Sequence, residues 1–122
     1  MRRYRLSAAA QADIVDILAR TEERFGEAAR VRYETLIVAA IRDIAENPDR
    51  PGAPVRPELG VGARSWHFRL SRSRAREESG PVRRPRHLIV FRIGGGGIVE
   101  IGRVLHDAME LERHRPTARD WD

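Results

Sequence analysis

The residues of this sequence best suited to chemistry are histidines and arginines in its C-terminal half. Cutting RNA requires a group that activates the 2′-hydroxyl, cations for the developing phosphorane and an acid for the leaving oxygen. His106 could be that acid or base, with Arg103 and Arg64 as phosphate clamps. The favoured alternative is that His106 hydrogen-bonds backbone at the end of a strand and fixes the turn that follows.

The rest of a ribonuclease site is hard to find. The chain has no lysine to bind a scissile phosphate. Its two tyrosines, Tyr4 and Tyr33, lie far from the last predicted strand along the chain. Residues 88–90, before Phe91, are apolar where a nuclease would need a basic side chain. We therefore assign no confident catalytic residue. Whether the protein is an enzyme stays open, and action by binding is favoured.

Arg103 stands in an apolar stretch. If side chains alternate along the strand, Arg103 shares a sheet face with Val99, Ile101 and Leu105. A charged group there needs either a counter-ion or an open face. Two roles are open for Arg103: a salt bridge to a carboxylate on a helix, or contact with a partner.

Aromatic and histidine side chains surround the second predicted strand. Trp66 and Phe68 could stack on nucleotide bases, but core packing is the favoured interpretation. His67 and His87 have no companions at the spacing of a metal site. We predict no metal and no cofactor.

Positive charge is concentrated in one segment. All 23 basic residues are arginine, and the net charge is +5. Residues 64–92 contain nine arginines and two acids, a local charge of +7, whereas the remaining chain carries −2. Such a field attracts nucleic acid or an acidic protein segment. Six of these arginines could touch such a partner, although a solvated hairpin tip is the favoured interpretation: Arg72, Arg74, Arg76, Arg83, Arg84 and Arg86.

Length and composition exclude several classes of protein. A chain of 122 residues suits one domain with one core. There is no cysteine, which excludes disulfides and thiolate metal sites. No apolar run reaches membrane-spanning length, and the first residues do not resemble a signal peptide. We expect a cytoplasmic protein without membrane contact.

Two amphipathic helices are predicted after a short strand at residues 3–6. Ser7 is a suitable N-cap for the first helix, and Gly26 is suited to end it in a left-handed conformation. The second helix begins near Glu27 and ends before Pro48. Their apolar positions are Ala10, Ile14, Ile17, Leu18, Thr21 and Phe25 in the first, and Tyr33, Leu36, Ile37, Ala40, Ile41 and Ile44 in the second.

Three strand-like runs follow a loop rich in proline and glycine. They cover residues 65–70, 87–93 and 98–105, and the glycines of 94–97 join the last two as a hairpin. The order β-α-α-β-β-β predicts an α+β fold, with a two-helix antiparallel hairpin packed on one face of a small, mostly antiparallel four-stranded sheet. We expect a single domain over 1–122, with 71–85 as an extended, mobile hairpin insertion and 115–122 as a polar tail.

The sheet is expected to have an uncovered face. The strand runs at 87–93 and 98–105 are apolar at nearly every position. Two helices can cover only one face of a sheet this small. The other face should stay partly open and apolar, which is typical of a protein–protein site.

Several local patterns together resemble the ParE branch of the RelE/ParE toxin superfamily. They are Tyr4-Arg5-Leu6-Ser7 with Ala9-Ala10-Gln11-Ala12-Asp13-Ile14, Phe25-Gly26-Glu27-Ala28, Ala45-Glu46-Asn47-Pro48, Gly62-Ala63-Arg64-Ser65, and Ile98-Val99-Glu100-Ile101 with Arg103-Val104-Leu105-His106. The resemblance spans residues 4–112 and depends on the order and spacing of these patterns. Two features depart from it: the insertion at 71–85, and Asp107-Ala108-Met109-Glu110 in place of an Arg-rich turn.

The resemblance implies the toxin of a type II toxin–antitoxin system. Such toxins act on DNA gyrase and trap DNA breaks, and a ParD-like antitoxin neutralises them. The toxin–antitoxin complex contacts DNA through the antitoxin. Two alternatives stay open: a ribosome-dependent mRNA interferase like the RelE branch, and an inactive remnant that only binds its antitoxin. We expect partner contacts at Arg64, Arg69, Arg92, Arg103, His106 and Met109.

Overall fold

A helical hairpin follows a short first strand. The computed structural model describes residues 2–75 and 80–121, in which strand β1 (Tyr4–Leu6) leads into helices α1 (Ala8–Phe25) and α2 (Glu27–Glu46). Ser7 caps α1 as predicted, because its hydroxyl accepts a hydrogen bond from the backbone N–H of Ala10 at 2.9 Å. Gly26 separates the helices with φ 94° and ψ 174°. This conformation suits glycine, but it is not the left-handed helical one that we predicted.

The remaining strands complete one mixed sheet. They are β2 (Arg64–His67), β3 (His87–Ile93) and β4 (Val99–His106), and the order across the sheet is β1-β4-β3-β2. Strand β1 pairs parallel to β4, whereas the other two pairings are antiparallel. The predicted fold class and the order β-α-α-β-β-β are confirmed.

The second strand is shorter than predicted, because the chain turns towards α2 after His67. Residues Phe68–Arg74 form a 3₁₀ segment. Trp66 donates its indole N–H to the hydroxyl of Ser71 at 2.8 Å, and that hydroxyl donates to Asp43 on α2 at 2.6 Å. The prediction of a strand over 65–70 was therefore wrong at its end. The mobile tip that we expected from Ser71 onwards is also wrong there, since Ser71 is fully buried.

The rest of the predicted insertion lies partly outside the described residues, which exclude 76–79. Residues 80–86 return to the sheet without regular secondary structure. Val82 packs against the main core, and Arg72 donates to the carbonyl of Arg83 at 2.6 Å. This returning segment is therefore attached to the body of the protein.

A β-bulge interrupts the pairing of β3 with β4. Val90 pairs with Arg103 and Phe91 pairs with Ile101, which leaves Gly102 as the extra residue. A bulge shifts the alternation of side chains by one position. Val99 and Ile101 accordingly face the helices, whereas Leu105 faces the opposite side of the sheet. The prediction that Arg103 shares one face with all three residues was wrong for this reason.

Both faces of the sheet are covered. The helices cover one face, and every predicted apolar position of α2 is buried there. On α1, Phe25 departs from the prediction because it is 73% exposed. The opposite face holds a second apolar cluster made of Leu59, Ala63, Leu88, Val90, Leu105 and Trp121. The expected open apolar face was wrong, since the loop after α2 and the C-terminal segment lie over it.

The C-terminal segment is attached to the sheet. Trp121, in the short helix α3 (Ala118–Trp121), is buried, and its backbone carbonyl accepts hydrogen bonds from Arg5 and Arg92. Residues Leu111–His114 form a 3₁₀ turn before it. A tail that is polar in composition thus contributes a core side chain. Within residues 2–75 and 80–121, no helix is both long and apolar enough to cross a membrane.

Candidate functional site

Three histidines meet at one end of the sheet. His67 ends β2, His87 begins β3 and His106 ends β4. Adjacent antiparallel strands place the end of one beside the start of the next, and His87 pairs directly with His106. The imidazole rings of His87 and His106 lie edge to face, with centroids 5.1 Å apart. Tyr33 of α2 contacts the same cluster.

Tyr33 and His87 form a short hydrogen bond at the base of this cluster. The Tyr33 hydroxyl lies 2.5 Å from His87 Nδ1 and accepts the backbone N–H of Arg86 at 3.2 Å. A phenol oxygen can accept two hydrogen bonds, so the His87 tautomer decides which of the two groups donates the proton of this bond. Burial raises the pKa of Tyr33 to about 12, and burial beside His106 lowers the pKa of His87 to about 4. Both groups are neutral at physiological pH.

Asp107 joins two strand ends through one carboxylate. One oxygen lies 2.8 Å from His67 Nε2, and the other accepts from the Arg86 guanidinium at 3.0 Å. The backbone N–H of Arg69 donates to His67 Nδ1 at 3.1 Å, so Nε2 carries the proton that His67 shares with Asp107. Burial alone would raise the pKa of Asp107, but the hydrogen bonds from His67 and Arg86 hold it below its usual value. The carboxylate is a structural anion here.

His106 plays the backbone role that we favoured. Its Nδ1 accepts the backbone N–H of Ala108 at 3.0 Å and thereby fixes the turn after β4. The side chain also lines a groove between the helices and this end of the sheet. His106 therefore combines a structural hydrogen bond with access to an open surface.

The groove lies open beside this end of the sheet. It encloses about 1320 Å³ between α1, the start of α2, the returning segment 81–86 and the end of β4. Its apolar lining includes the exposed side chains of Phe25 and Met109. Seven arginines and three acids line it: Arg20, Arg24, Arg32, Arg83, Arg84, Arg86 and Arg103, with Asp13, Asp16 and Glu23.

Only some of the groove arginines are neutralised. Arg20 pairs with Asp16 and Arg86 pairs with Asp107. The other groove arginines, with the exception of Arg103, make no ion pair within the ranges 2–75 and 80–121; they are Arg24, Arg32, Arg83 and Arg84. Uncompensated like charges in one concavity attract an anionic partner.

Arg103 is held from inside the molecule. Its guanidinium donates to both carboxylate oxygens of Asp13 on α1, at 2.7 and 2.8 Å, and to the carbonyl of His114 at 3.1 Å. Asp13 also accepts the backbone N–H of Val104 at 2.9 Å. These contacts raise the pKa of Arg103, and its hydrogen bonds to Asp13 are the main cause. Of the two roles open for Arg103, the structure shows the salt bridge to a helix.

The other predicted phosphate clamp lies elsewhere. Arg64 donates to Asp49 at 2.6 Å and to the carbonyl of Pro48 at 2.9 Å. It does not line the groove that contains His106 and Arg103. The structure thus does not bring the three predicted nuclease residues together, and both arginines are already neutralised.

The predicted partner-binding residues divide between surfaces. His106, Arg103 and Met109 line the groove, whereas Arg69 is exposed outside it. Arg92 lies on the other face of the sheet, where it pairs with Glu100 at 3.0 Å and stacks 4.6 Å from the ring centroid of Trp121. Glu100 is buried, yet hydrogen bonds from Arg5 and Arg92 lower its pKa.

Other predictions around the sheet can also be compared with the structure. Trp66 and Phe68 are buried in the core, which confirms the favoured interpretation. Three arginines of the expected solvated tip have structural contacts instead: Arg72 donates to the carbonyl of Arg83 at 2.6 Å, Arg74 binds Asp43 at 2.8 Å, and Arg86 binds Asp107 at 3.0 Å. Arg76 lies outside the described residues. No group of three or more possible metal ligands occurs within residues 2–75 and 80–121.

Sequence reasoning missed Tyr33 and the groove arginines of the helices. Tyr33 was set aside because it lies far along the chain, but α2 returns it to His87. A signal was available: in a meander of antiparallel strands, His67, His87 and His106 must lie at one end of the sheet. Arg24 and Arg32 carry no signal in sequence, because they lie outside the basic segment.

Fold and site together define a small α+β protein with an open groove beside one end of its sheet. Comparison with known proteins gives the family. Residues 4–111 match the family described as ParE toxin of type II toxin-antitoxin system, parDE. Toxin ParE1 of Caulobacter vibrioides is 32% identical over 114 residues, which cover 93% of this chain and 98% of that relative. The chain therefore belongs to the ParE toxin family of type II toxin–antitoxin systems, and this membership implies an antitoxin partner.

Proposed function

We propose that this toxin arrests growth by binding DNA gyrase and that a ParD-like antitoxin neutralises it. The groove is the surface that carries the proposal. It is open, partly apolar and lined by four arginines without ion pairs in the described ranges. A surface of this kind suits a protein partner. In this proposal the toxin contacts DNA only through the antitoxin complex, and it acts in the cytoplasm, where gyrase works.

The whole chain serves this one role in the proposal. Residues 1–122 act as a single toxin domain, with 71–85 as an insertion that contributes one wall of the groove and 115–122 as a C-terminal segment. Among the predicted partner contacts, Arg103, His106 and Met109 lie on this groove. Arg64, Arg69 and Arg92 would belong to contacts outside it.

One observation favours a second candidate, a ribosome-dependent mRNA interferase. Tyr33, His87 and His106 are clustered beside the groove, and such groups can transfer protons. Against it, the pKa of Tyr33 is about 12 and its hydroxyl is engaged by His87. The pKa of His87 is about 4, so its hydrogen-bonded ring is neutral at physiological pH. It therefore does not supply the positive charge that would stabilise a phosphate. Gyrase binding therefore stays the leading proposal.

The proposal is tested with purified gyrase. The full chain is titrated into supercoiling and DNA-cleavage reactions, with and without a coexpressed antitoxin. We expect loss of supercoiling and accumulation of cleaved DNA at stoichiometric toxin, both reversed by antitoxin. Unchanged gyrase activity together with codon-linked transcript cuts in arrested cells would establish the interferase instead. Normal growth with abundant folded protein would indicate an inactive remnant.

A further inference from the structure

The returning segment, residues 81–84, presents charge from a fixed backbone. Arg83 and Arg84 are exposed, whereas Val82 between Pro81 and these arginines packs against the main core. The carbonyl of Arg83 accepts a hydrogen bond from Arg72 at 2.6 Å. A segment whose backbone is held in this way loses less backbone entropy when it binds a partner. The segment therefore forms a stable wall of the groove.

This wall adds to the positive charge that lines the groove. Arg24 at the end of α1 and Arg32 on α2 line the same groove, and neither has an ion pair in the described part of the chain. Guanidinium groups that share one concavity raise its positive potential. A partner carboxylate placed between them lowers this potential, so binding should depend on acidic groups in the partner.

The groove also presents apolar side chains that a partner could contact. Phe25 is 73% exposed and Met109 is 44% exposed, and both line it, with Ile17 buried beneath. Asp16 and Glu23 interrupt the positive surface along α1. A phosphate backbone carries a negative charge on every nucleotide and would meet these carboxylates. An amphipathic protein segment can match the alternation of charge and apolar surface.

We propose that residues 81–84 form a selectivity wall, at which Arg83 and Arg84 recognise acidic side chains of an amphipathic helical segment seated in the groove. The wall, supplied by the insertion, decides which partner segments bind tightly. This inference rests on the proposed function, since it takes the groove to be the partner site. It adds that the basic excess of the insertion discriminates between partners.

The test uses a defined peptide and the full chain. The probe is an amphipathic peptide of about 18 residues with Glu and Leu at helical spacing. Its affinity is measured by calorimetry for the wild type and for Arg83→Glu/Arg84→Glu. We expect the double variant to bind at least about tenfold more weakly. Arg83→Ala/Arg84→Ala should show a smaller loss in the same direction, and equal unfolding curves would exclude a folding defect.

A matched control carries the same charge change outside the groove. Arg115 and Arg119 are exposed in the C-terminal segment, and Arg115→Glu/Arg119→Glu should bind the peptide within about twofold of wild type. If this control variant weakens peptide binding equally, the change in net charge alone explains the effect, and the proposal is overturned.

Other outcomes separate the wall from the groove. If Arg24→Glu weakens binding and the Arg83/Arg84 variants do not, the selectivity wall is wrong while the groove remains the partner site. If none of these variants weakens binding, the groove itself is wrong as the partner site. If a single-stranded oligothymidylate displaces the peptide and binds more tightly, the occupant is nucleic acid and the proposed peptide chemistry is overturned.

Discussion

His87 is partly buried in surroundings that disfavour its charged form. Its Nδ1 is hydrogen-bonded to the Tyr33 hydroxyl, and its ring centroid lies 5.1 Å from that of His106. Burial, followed by the charge of His106, lowers the pKa of His87 to about 4, although Asp107 acts in the opposite direction. Protonation of His87 in the folded protein therefore costs stability.

This arrangement predicts acid destabilisation. The folded-state pKa of His87 lies below the usual value near 6.5, so the unfolded chain binds the extra proton first as the pH falls. The stabilising contribution is complete above about pH 6.5 and is lost towards pH 4. Between pH 7 and pH 5 we expect about 2 kcal/mol less free energy of unfolding, measured by urea denaturation.

His87→Gln separates this residue from other acid effects. Glutamine is also polar but does not titrate, so this variant should lose about 2 kcal/mol less between the two pH values. His114→Gln is the control, because His114 makes none of the ring contacts that join Tyr33, His87 and His106, and it should keep the wild-type dependence. A His87→Gln variant with the same pH dependence as wild type would show that His87 is not the titrating group.

At the residue scale, the sequence predicted what a side chain does better than which residues it contacts. The strand-end hydrogen bond of His106 was the favoured interpretation, whereas the salt bridge of Arg103 was one of two roles that its need for a partner left open. The identity of the Arg103 partner did not follow, because Asp13 lies 90 positions away. The contact of Tyr33 with His87 was not predicted for the same reason. Contacts that depend on how helices dock on a sheet leave no local signal.

At the scale of elements, the bulge in β4 and the C-terminal segment depend on one another. Gly102 is the extra residue of the bulge, and its carbonyl accepts from the Ser7 hydroxyl at 2.6 Å. A β-carbon at Gly102 would lie 2.6 Å from Pro116 and 2.9 Å from Trp121. Such distances are too short for carbon atoms in contact. Glycine here lets the C-terminal segment cover the sheet.

We therefore expect Gly102→Ala to loosen that segment. The methyl group displaces Pro116 and Trp121, and overpacking of this kind costs about 1–3 kcal/mol. Urea denaturation should show the loss, and amide exchange should become faster over residues 118–121. Gly95→Ala is the control, because its β-carbon meets nothing within 4 Å and should leave stability unchanged. A Gly102→Ala variant as stable as wild type would contradict this packing.

Sequence patterns gave the helices and the last two strands but misplaced two connections. Helical and strand periodicity report which residues are apolar, and they did so for α2, β3 and β4. They do not report a switch from strand to 3₁₀ turn at Phe68, which follows the buried contact between Ser71 and Asp43. These patterns also did not predict that the second sheet face is covered, because Trp121, which is part of that cover, lies far along the chain.

For the whole molecule, charge distribution predicted a partner surface but not its position. The basic segment 64–92 suggested a basic insertion. The structure instead uses Arg64, Arg74, Arg86 and Arg92 for internal ion pairs. Folding brings arginines of this segment together with arginines of both helices in one groove, where four of them have no ion pair within residues 2–75 and 80–121. The position of this groove is therefore a property of the fold.

The most direct test of the central claim is growth arrest by two variants expressed at equal levels without antitoxin. The claim is that the groove acts by binding and not by cutting RNA. His106→Gln removes the titratable imidazole but keeps an uncharged polar side chain, so a binding surface tolerates it, whereas loss of a catalytic acid or base lowers activity by about 10²–10⁴-fold. Arg24→Glu/Arg84→Glu reverses charge in the groove. We predict that the His106 variant still arrests growth and that the arginine variant does not. The claim would be contradicted if His106→Gln abolished both growth arrest and transcript cutting while Arg24→Glu/Arg84→Glu still arrested growth.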